Sequence, residues 1–311
     1  MRYRELGDSG LQVSEICLGS WLTYGGAVET ARAEACVDAA FDAGINFIDT
    51  ANVYSGGKAE EFLGAVLSKR PRDSYILATK LLGQMPNGRG LSREQVHLQL
   101  DDSLRRLRTD YVDLYQAHAW DDEVPLEETL GAFTEVVAAG KARFVGVSNW
   151  SGAQIERAVE LCREHGFAKP VSSQPQYSML HRDPERDVFP VSRENGISQI
   201  VYSPLAQGVL SGKYRPGEDA PEGSRAAARP DDMWGYTESD VLERVQQLVP
   251  LAEGLGVSMP QLALAWALRE PNLASVIVGA SRPEQVADNA AASGVELDAD
   301  TLSRIDAILA A

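Results

Sequence analysis

Apolar and polar positions along this chain fall into one recurring unit: a helix-spaced segment ends in glycine, a short apolar run follows, and polar residues close it. Asp42-Ala43-Gly44 leads into Ile45-Asn46-Phe47-Ile48-Asp49, and Ala139-Gly140 leads through Lys141 into Phe144-Val145-Gly146-Val147-Ser148. His165-Gly166 precedes Val171-Ser172-Ser173-Gln174, and Asn195-Gly196 precedes Ile197-Ser198-Gln199-Ile200-Val201-Tyr202. Glycine suits the position just past a helix because it enters the left-handed region without a Cβ clash. The helices have their own marks. Ser92 and Gln95 have capping-box spacing, after which Val96, Leu100, Leu104 and Leu107 share a face; Ser151 and Gln154 repeat the box ahead of Ile155, Ala158, Val159 and Cys162. Leu126, Leu130, Phe133 and Val137 form a third stripe. Such stripes predict core-facing helices and carry no chemistry.

The expected strand ends, Gly19, Asp49, Lys80, His118, Ser148, Gln174 and Tyr202, are spaced by 30, 31, 38, 30, 26 and 28 residues, and a last run, Val276-Ile277-Val278-Gly279, follows a longer gap. Eight apolar runs with helices between them predict right-handed βαβ units and a parallel sheet, which closes most naturally as a (β/α)8 TIM barrel occupying residues 1–311 as one domain. An open doubly wound sheet is the competing architecture; it usually has fewer strands and a Gly-rich dinucleotide turn. Two pieces stand outside the repeat. Residues 3–13 alternate around Gly7-Asp8-Ser9-Gly10 and predict an N-terminal β-hairpin plugging the barrel's bottom. Residues 214–235, rich in Pro, Gly, Asp and Arg, read as a mobile loop with little regular structure.

Composition narrows the classes. The 311 residues are 44% hydrophobic, enough for a large core, and 29 basic against 45 acidic side chains leave a net charge of −16. Both nucleic acid and an anionic membrane surface would be repelled. Cys17, Cys36 and Cys162 are odd in number and widely spaced, which argues against disulfide staples or structural zinc and fits a reducing cytoplasm. The N-terminus shows no apolar run of signal-peptide type, and no stretch of roughly 18 apolar residues predicts a membrane span. His97, His165 and His181 read as surface or helix residues, no H-E-x-x-H spacing occurs, and no metal is expected. No heptad or apolar surface stripe sets an oligomeric state.

In barrels of this type, sites form at the C-terminal strand ends, and the chain puts reactive side chains there. The second strand ends in Asp49, with Tyr54 five residues on; the third ends in Lys80 and the fourth in His118. A core strand gains nothing from ending in a charge. Asp49 and Lys80 alone also fit a structural ion pair at the rim, and Lys80 alone fits a Schiff-base lysine of a barrel aldolase.

Taken together, D-T-A-x-x-Y at 49–54, Lys80, L-Y-Q-A-H at 114–118, G-V-S-N at 146–149, Gln174, Y-S-P-L at 202–205, G-K-Y at 212–214 and G-A-S-R at 279–282 resemble the aldo-keto reductase family. The resemblance runs in order along essentially the whole chain. The G-G-x-x-E start of the first loop and the S-P-L-x-x-G-x-x-S-G-K-Y segment look most like the bacterial reductases related to potassium-channel β subunits, a branch whose channel-linked members often lack the histidine present at His118.

The resemblance implies an NADPH-dependent reductase of small-molecule aldehydes or ketones with a tetrad of Asp49, Tyr54, Lys80 and His118. The chemistry is coherent on its own terms. Carbonyl reduction needs a proton delivered to oxygen, and a phenol with a pKa of about 10 is a poor shuttle. The Lys80 ammonium is expected to favour phenolate and lower that pKa, with Asp49 holding Lys80 and His118 orienting the carbonyl. No G-x-G-x-x-G follows a strand, and Gly208 to Lys213 is one residue short of a P-loop, with Tyr214 in place of Ser/Thr. The resemblance instead implies NADPH extended across the strand ends. Tyr202 would stack on the nicotinamide, and Ser148, Asn149 and Gln174 would fix its carboxamide; Ser20, Trp21 and Asp49 would lie against it. Ser203, Pro204, Leu205, Gln207, Gly208 and Lys213 would line the pyrophosphate. Gly279, Ser281, Arg282, Gln285 and Asn289 would take the far end, with Arg282 on the 2′-phosphate at a helix start and Arg225 clasping from the long loop. As solvated charges, Arg282 and Arg225 have a plain alternative reading. Trp21, Tyr24, Tyr54, His118 and Trp120 are expected to form the substrate pocket. The alternative function is an NADPH-binding, redox-sensing regulatory subunit with little turnover.

Overall fold

The computed structural model describes residues 1–26 and 28–310; Ala27 and Ala311 of the expected 1–311 domain lie outside the described residues. The chain starts with an antiparallel hairpin, β1 (Tyr3–Glu5) and β2 (Gln12–Ser14). Its turn rests on the barrel so closely that a Cβ on Gly7, at φ +57°, would lie 2.3 Å from the Val171 carbonyl oxygen, so only glycine fits there.

Eight parallel strands follow: β3 (Ile16–Gly19), β4 (Phe47–Asp49), β5 (Ile76–Leu81), β6 (Val112–Ala117), β7 (Ala142–Ser148), β8 (Ser172–Gln174), β9 (Ser198–Val201) and β10 (Leu273–Val278). They pair in sequence order, and β10 closes the barrel by pairing with both β9 and β3. Alternation sends Cys17, Phe47, Ala78, Leu114 and Ile200 inward, where they pack with Leu6, Leu11 and Val13 of the hairpin segment. The hairpin therefore seals the N-terminal end, as its pattern predicts, and leaves the other end open.

The barrel is wrapped by α1 (Thr30–Asp42), α2 (Lys58–Leu67), α3 (Arg93–Leu107), α4 (Leu126–Ala138), α5 (Gly152–His165) and α6 (Val188–Glu194). After β9 come the short α7 (Arg225–Ala228), then α8 (Ser239–Gly254) and α9 (Met259–Leu268); α10 (Pro283–Ala290) and α11 (Ala299–Ala310) end the chain. Their apolar faces and the outward strand residues form one large core. Ser151 and Gln154 make the complete capping box. At α3 only half of it forms: Ser92 accepts from the Gln95 backbone, while the Gln95 side chain donates to the Asn87 carbonyl. Among the described residues no single helix is long and apolar enough to cross a membrane.

Two expectations are corrected. The run from Ile45 to Asp49 becomes strand only from Phe47, because the Asn46 side chain turns to the hairpin, accepting from Ser14 N at 2.8 Å and donating to the Gln12 carbonyl at 2.9 Å. Residues 214–235 are more regular than their composition suggests. Ser224 caps α7, a 3-10 turn spans Pro230–Met233, and Tyr214 and Met233 are buried anchors.

Candidate active site

At the open end, the ends of neighbouring strands bring four chemically distinct groups together. Lys80 on β5 is fully buried and its ammonium contacts Asp49 Oδ1 on β4 at 2.5 Å. The same ammonium donates to the Thr50 carbonyl at 2.8 Å and reaches the Tyr54 hydroxyl at 3.3 Å. Tyr54 opens a 3-10 turn, Tyr54–Gly57, in which Ser55 and Gly56 take left-handed conformations, folding the loop back over the strand ends. His118, the first residue past β6, puts Nε2 3.4 Å from the Tyr54 hydroxyl, with the rings edge-on.

Burial governs the electrostatics of this group. It pushes the Tyr54 phenol above its ordinary range, and the nearby Lys80 ammonium offsets this only in part, with Asp49 acting against it. The expectation that Lys80 brings the phenol down toward working pH is therefore corrected: Tyr54 holds its proton firmly. For Lys80 itself, burial disfavours the charge, but the contact with Asp49 more than compensates and the ammonium is held above its ordinary pKa. Burial, with help from Lys80, pushes His118 down to about 3, so its imidazole is neutral. A neutral ring has one N–H donor and one acceptor.

Below this group lie two amides. Gln174 Nε2 donates to Asp49 Oδ2 at 3.2 Å and to Gln116 Oε1 at 3.3 Å, and Gln116 Nε2 donates to Asp49 Oδ2 at 3.4 Å. Ser148 Oγ donates to the Gln174 carbonyl at 2.8 Å. Asn149 donates to the His118 carbonyl, and its own Oδ1 accepts from the Tyr202 hydroxyl at 3.0 Å. Ser148, Asn149, Gln174 and Tyr202 thus form one connected cluster beside Tyr54.

The backbone of this rim is strained. Asn149, Ser203, Ala206 and Gln207 all have positive φ, between 45° and 59°, where side chains other than glycine are uncommon. Ser203, Pro204 and Leu205 lead into the turn Ala206–Ser211, where Gln207 is buried and Gly208, at φ +90°, faces the Lys213 side chain. Arg225 reaches across from α7 to hydrogen-bond Gln207 Oε1, and its guanidinium lies 5.7 Å from the Trp21 ring centre. Beyond β10, Gly279 and the buried Ser20 flank the start of the first loop; a Cβ at Gly279 would meet Thr23 Oγ1 at 3.1 Å. Arg282 is the exposed N-cap of α10, Ser281 is tied to Gln285 Oε1, and Asn289 is buried on the same helix.

The aromatic residues divide. Trp21 is 38% exposed and stands 6.1 Å from Trp234, itself 45% exposed. Trp120 packs edge-on against the buried Trp150 at 4.8 Å. Tyr24 is corrected: it is fully buried against Phe62, part of the core and without surface at the open end. Trp234 and Gln116 were missed. Trp234 is a bulky aromatic in an otherwise polar loop, and Gln116 is an amide at an inward strand position between Leu114 and His118; both signals were there to read.

Comparison with known proteins agrees with this fold. The family model described as Aldo/keto reductase family matches residues 15–310. A Schizosaccharomyces pombe protein named as a candidate voltage-gated potassium channel subunit beta is 39% identical over 321 aligned residues, covering 99% of this chain and 93% of the relative. An Oryza sativa subsp. japonica protein with the same kind of name is 38% identical over 318 aligned residues, covering 99% of this chain and 97% of the relative.

Proposed function

The chain belongs to the aldo/keto reductase family, and on that premise we propose that it is a cytoplasmic NADPH-dependent oxidoreductase that reduces aldehydes or ketones to alcohols. The observation that carries this reading is the Tyr54 hydroxyl, held between Lys80 Nζ at 3.3 Å and His118 Nε2 at 3.4 Å, above a buried Asp49–Lys80 pair. A structural ion pair needs neither the phenol nor the imidazole.

The residues present fit a dinucleotide. Gln174 commits its amide N–H groups to Asp49 and Gln116, so its carbonyl oxygen is the group free to accept from a carboxamide. The Tyr202 ring is fixed by the Tyr202–Asn149 hydrogen bond and offers a flat shelf beside it. Beside the positive-φ turn that includes Ser203, Ala206, Gln207 and Gly208, Lys213 offers an exposed cation to a pyrophosphate. Arg282 at the α10 N-terminus suits a 2′-phosphate. When bound, NADPH supplies hydride to the carbonyl carbon.

This chain's residues do the rest. Tyr54 and the neutral His118 donate to the carbonyl oxygen and polarise it. As negative charge develops there, Tyr54 gives up its proton, and the Lys80 ammonium stabilises the phenolate left behind. Asp49 keeps Lys80 charged and in place. Trp21, Trp120 and Trp234 form apolar walls at the mouth, which favours carbonyls with an apolar or aromatic substituent. The test is multiple-turnover consumption of NADPH against a panel of aldehydes and ketones, followed through the absorbance of the reduced cofactor; no turnover with any of them overturns the reading.

A second reading has one observation behind it, the names of the two relatives. On that reading the chain is a regulatory subunit that holds NADPH and reports its redox state to a channel-like partner. His118 favours the enzyme, because a binding module has no use for a polarising imidazole. Tight NADPH binding with at most a single turnover would favour the subunit.

A further inference from the structure

We propose that Gln116 is a positioning residue that acts through Asp49 on the Lys80–Tyr54 pair, an inference that rests on the oxidoreductase reading and names a further part of the same site. Gln116 is fully buried on the inward face of β6, where alternation otherwise places Leu114 below it and His118 above. An amide there costs free energy unless its hydrogen bonds are made. The bonds it makes all converge on the site. Its Nε2 donates to Asp49 Oδ2, its Oε1 accepts from Gln174 Nε2, and Gln174 donates to the same Oδ2. Asp49 is thus gripped from both sides, two amides on Oδ2 and the Lys80 ammonium on Oδ1. A carboxylate rotated about its terminal torsion would lose one set or the other.

The barrel is shaped to accommodate this amide. Lys80, Gln116, Gly146 and Ser172 are successive register partners on β5, β6, β7 and β8, and so form one layer. At Gly146 a Cβ would lie 2.3 Å from Ser172 Oγ and 3.2 Å from Gln116 Cγ, so the missing side chain makes room first for Ser172 and also relieves a tight contact with Gln116. The ionisable groups around the Asp49 carboxylate are Lys80 on β5, Tyr54 and His118 above it, and the Cys17 thiol on β3, which burial and then Asp49 keep in the thiol form. Only Lys80 carries charge against Asp49 near neutral pH. The amides fix where that carboxylate stands relative to Lys80 and Tyr54.

Two variants test this. Gln116→Leu removes the amide at similar volume; kcat should fall roughly tenfold through misplacement of the proton relay, with Kd for NADPH within about threefold of the parent. Gln116→Glu puts a second carboxyl against Asp49, and two carboxyls that close share one proton. While protonated, the introduced group donates to Oδ2 as the amide does. The variant should therefore approach parental kcat in acid and lose it as pH rises, adding a limb the parent lacks. Its pKa is raised on folding, so its stabilising contribution is present below the ordinary carboxylate range and is lost as pH rises through the folded value. The melting temperature of the variant should fall relative to the parent over the same span. Gln116→Leu with parental kcat, or Gln116→Glu with a parental pH profile and melt, overturns the proposal. A parent that turns over no carbonyl instead overturns the function on which it rests.

Discussion

The hydroxyl of Tyr54 lies 3.3 Å from the Lys80 ammonium, yet burial keeps the phenol more weakly acidic than a free tyrosine. The pair is suited to donation rather than to resting ionisation: on the proposed function the proton would stay on oxygen until charge develops on the substrate. Tyr54→Phe removes the donor and leaves the Asp49–Lys80 contact intact. We expect carbonyl reduction to fall on the order of 10²–10⁴-fold while NADPH affinity measured by fluorescence changes little. Retained turnover would remove Tyr54 from its role.

His118 gives a pH-dependent signature that does not depend on turnover. Its folded pKa is pushed down to about 3 from the ordinary 6.5. The unfolded chain therefore binds a proton at this position that the folded chain refuses. The stabilising contribution is fully present above pH 6.5 and is lost as pH falls toward 3, by up to ~1.4 kcal/mol per pH unit for this one group. The difference in unfolding free energy between the parent and His118→Asn, measured by denaturant titration at several pH values, should be constant above pH 6.5 and shift against the parent as pH falls toward 3. Parallel curves would mean that folding leaves the His118 pKa where it is in the unfolded chain.

The buried carboxylate of Glu60 holds the outer wall of the site. It accepts from Thr79 Oγ1 at 2.5 Å and from Arg106 Nε at 2.7 Å, linking α2, α3 and the residue preceding Lys80. Removing one partner of a buried pair strands the other. Arg106→Met should cost about 3 kcal/mol in thermal or denaturant unfolding, and adding Glu60→Gln should recover part of that loss. A single variant as stable as the parent would mean that water reaches Glu60.

The fold, and the meeting of Asp49, Tyr54, Lys80 and His118 at its open end, were legible in the sequence for the same physical reason. An apolar run that ends in a charge, as at Lys80 or just past Ala117 at His118, has no packing motive for doing so, and glycines after helix-spaced segments punctuate the repeat. What escaped the reading depends on contacts between distant segments. Trp21 and Tyr24 sit three residues apart in one loop, and nothing local says that the first faces solvent while the second packs on Phe62. Nor does local sequence tell that Asn46 serves the hairpin instead of its own strand, or that Gln95 abandons its capping box for Asn87. The effect of Lys80 on Tyr54 had the right direction, but burial, which opposes it, is invisible before the chain is folded.

On the proposed function, Arg282 is the residue expected to separate the two nicotinamide cofactors. It is exposed at the start of α10, where the helix N-terminus and a guanidinium would both face a 2′-phosphate. Arg282→Ala should weaken NADPH binding by roughly tenfold or more, the scale of a charge-assisted hydrogen bond, and leave NADH binding nearly unchanged. Equal losses for both cofactors in a titration calorimeter would move the phosphate elsewhere.

Arg225 tests whether the long segment after β9 controls cofactor exchange. Its guanidinium bridges α7 to Gln207 on the strained turn and lies beside Trp21 from the opposite wall, while Trp234, also in a left-handed conformation, meets Trp21 from the same segment. These contacts tie together three loops, and on the proposed function they are the ones a bound dinucleotide would have to part to leave. Burial disfavours the Arg225 charge, so a phosphate beside it would gain more from the pairing than at an exposed site. Arg225→Ala should therefore raise the NADPH dissociation rate roughly tenfold, seen by stopped-flow displacement, with a much smaller change in the association rate. Where cofactor release limits turnover, kcat would rise in the same variant while affinity falls, and that opposition distinguishes a gate from a simple binding contact. Unchanged release would leave the segment as a wall of the substrate mouth and nothing more.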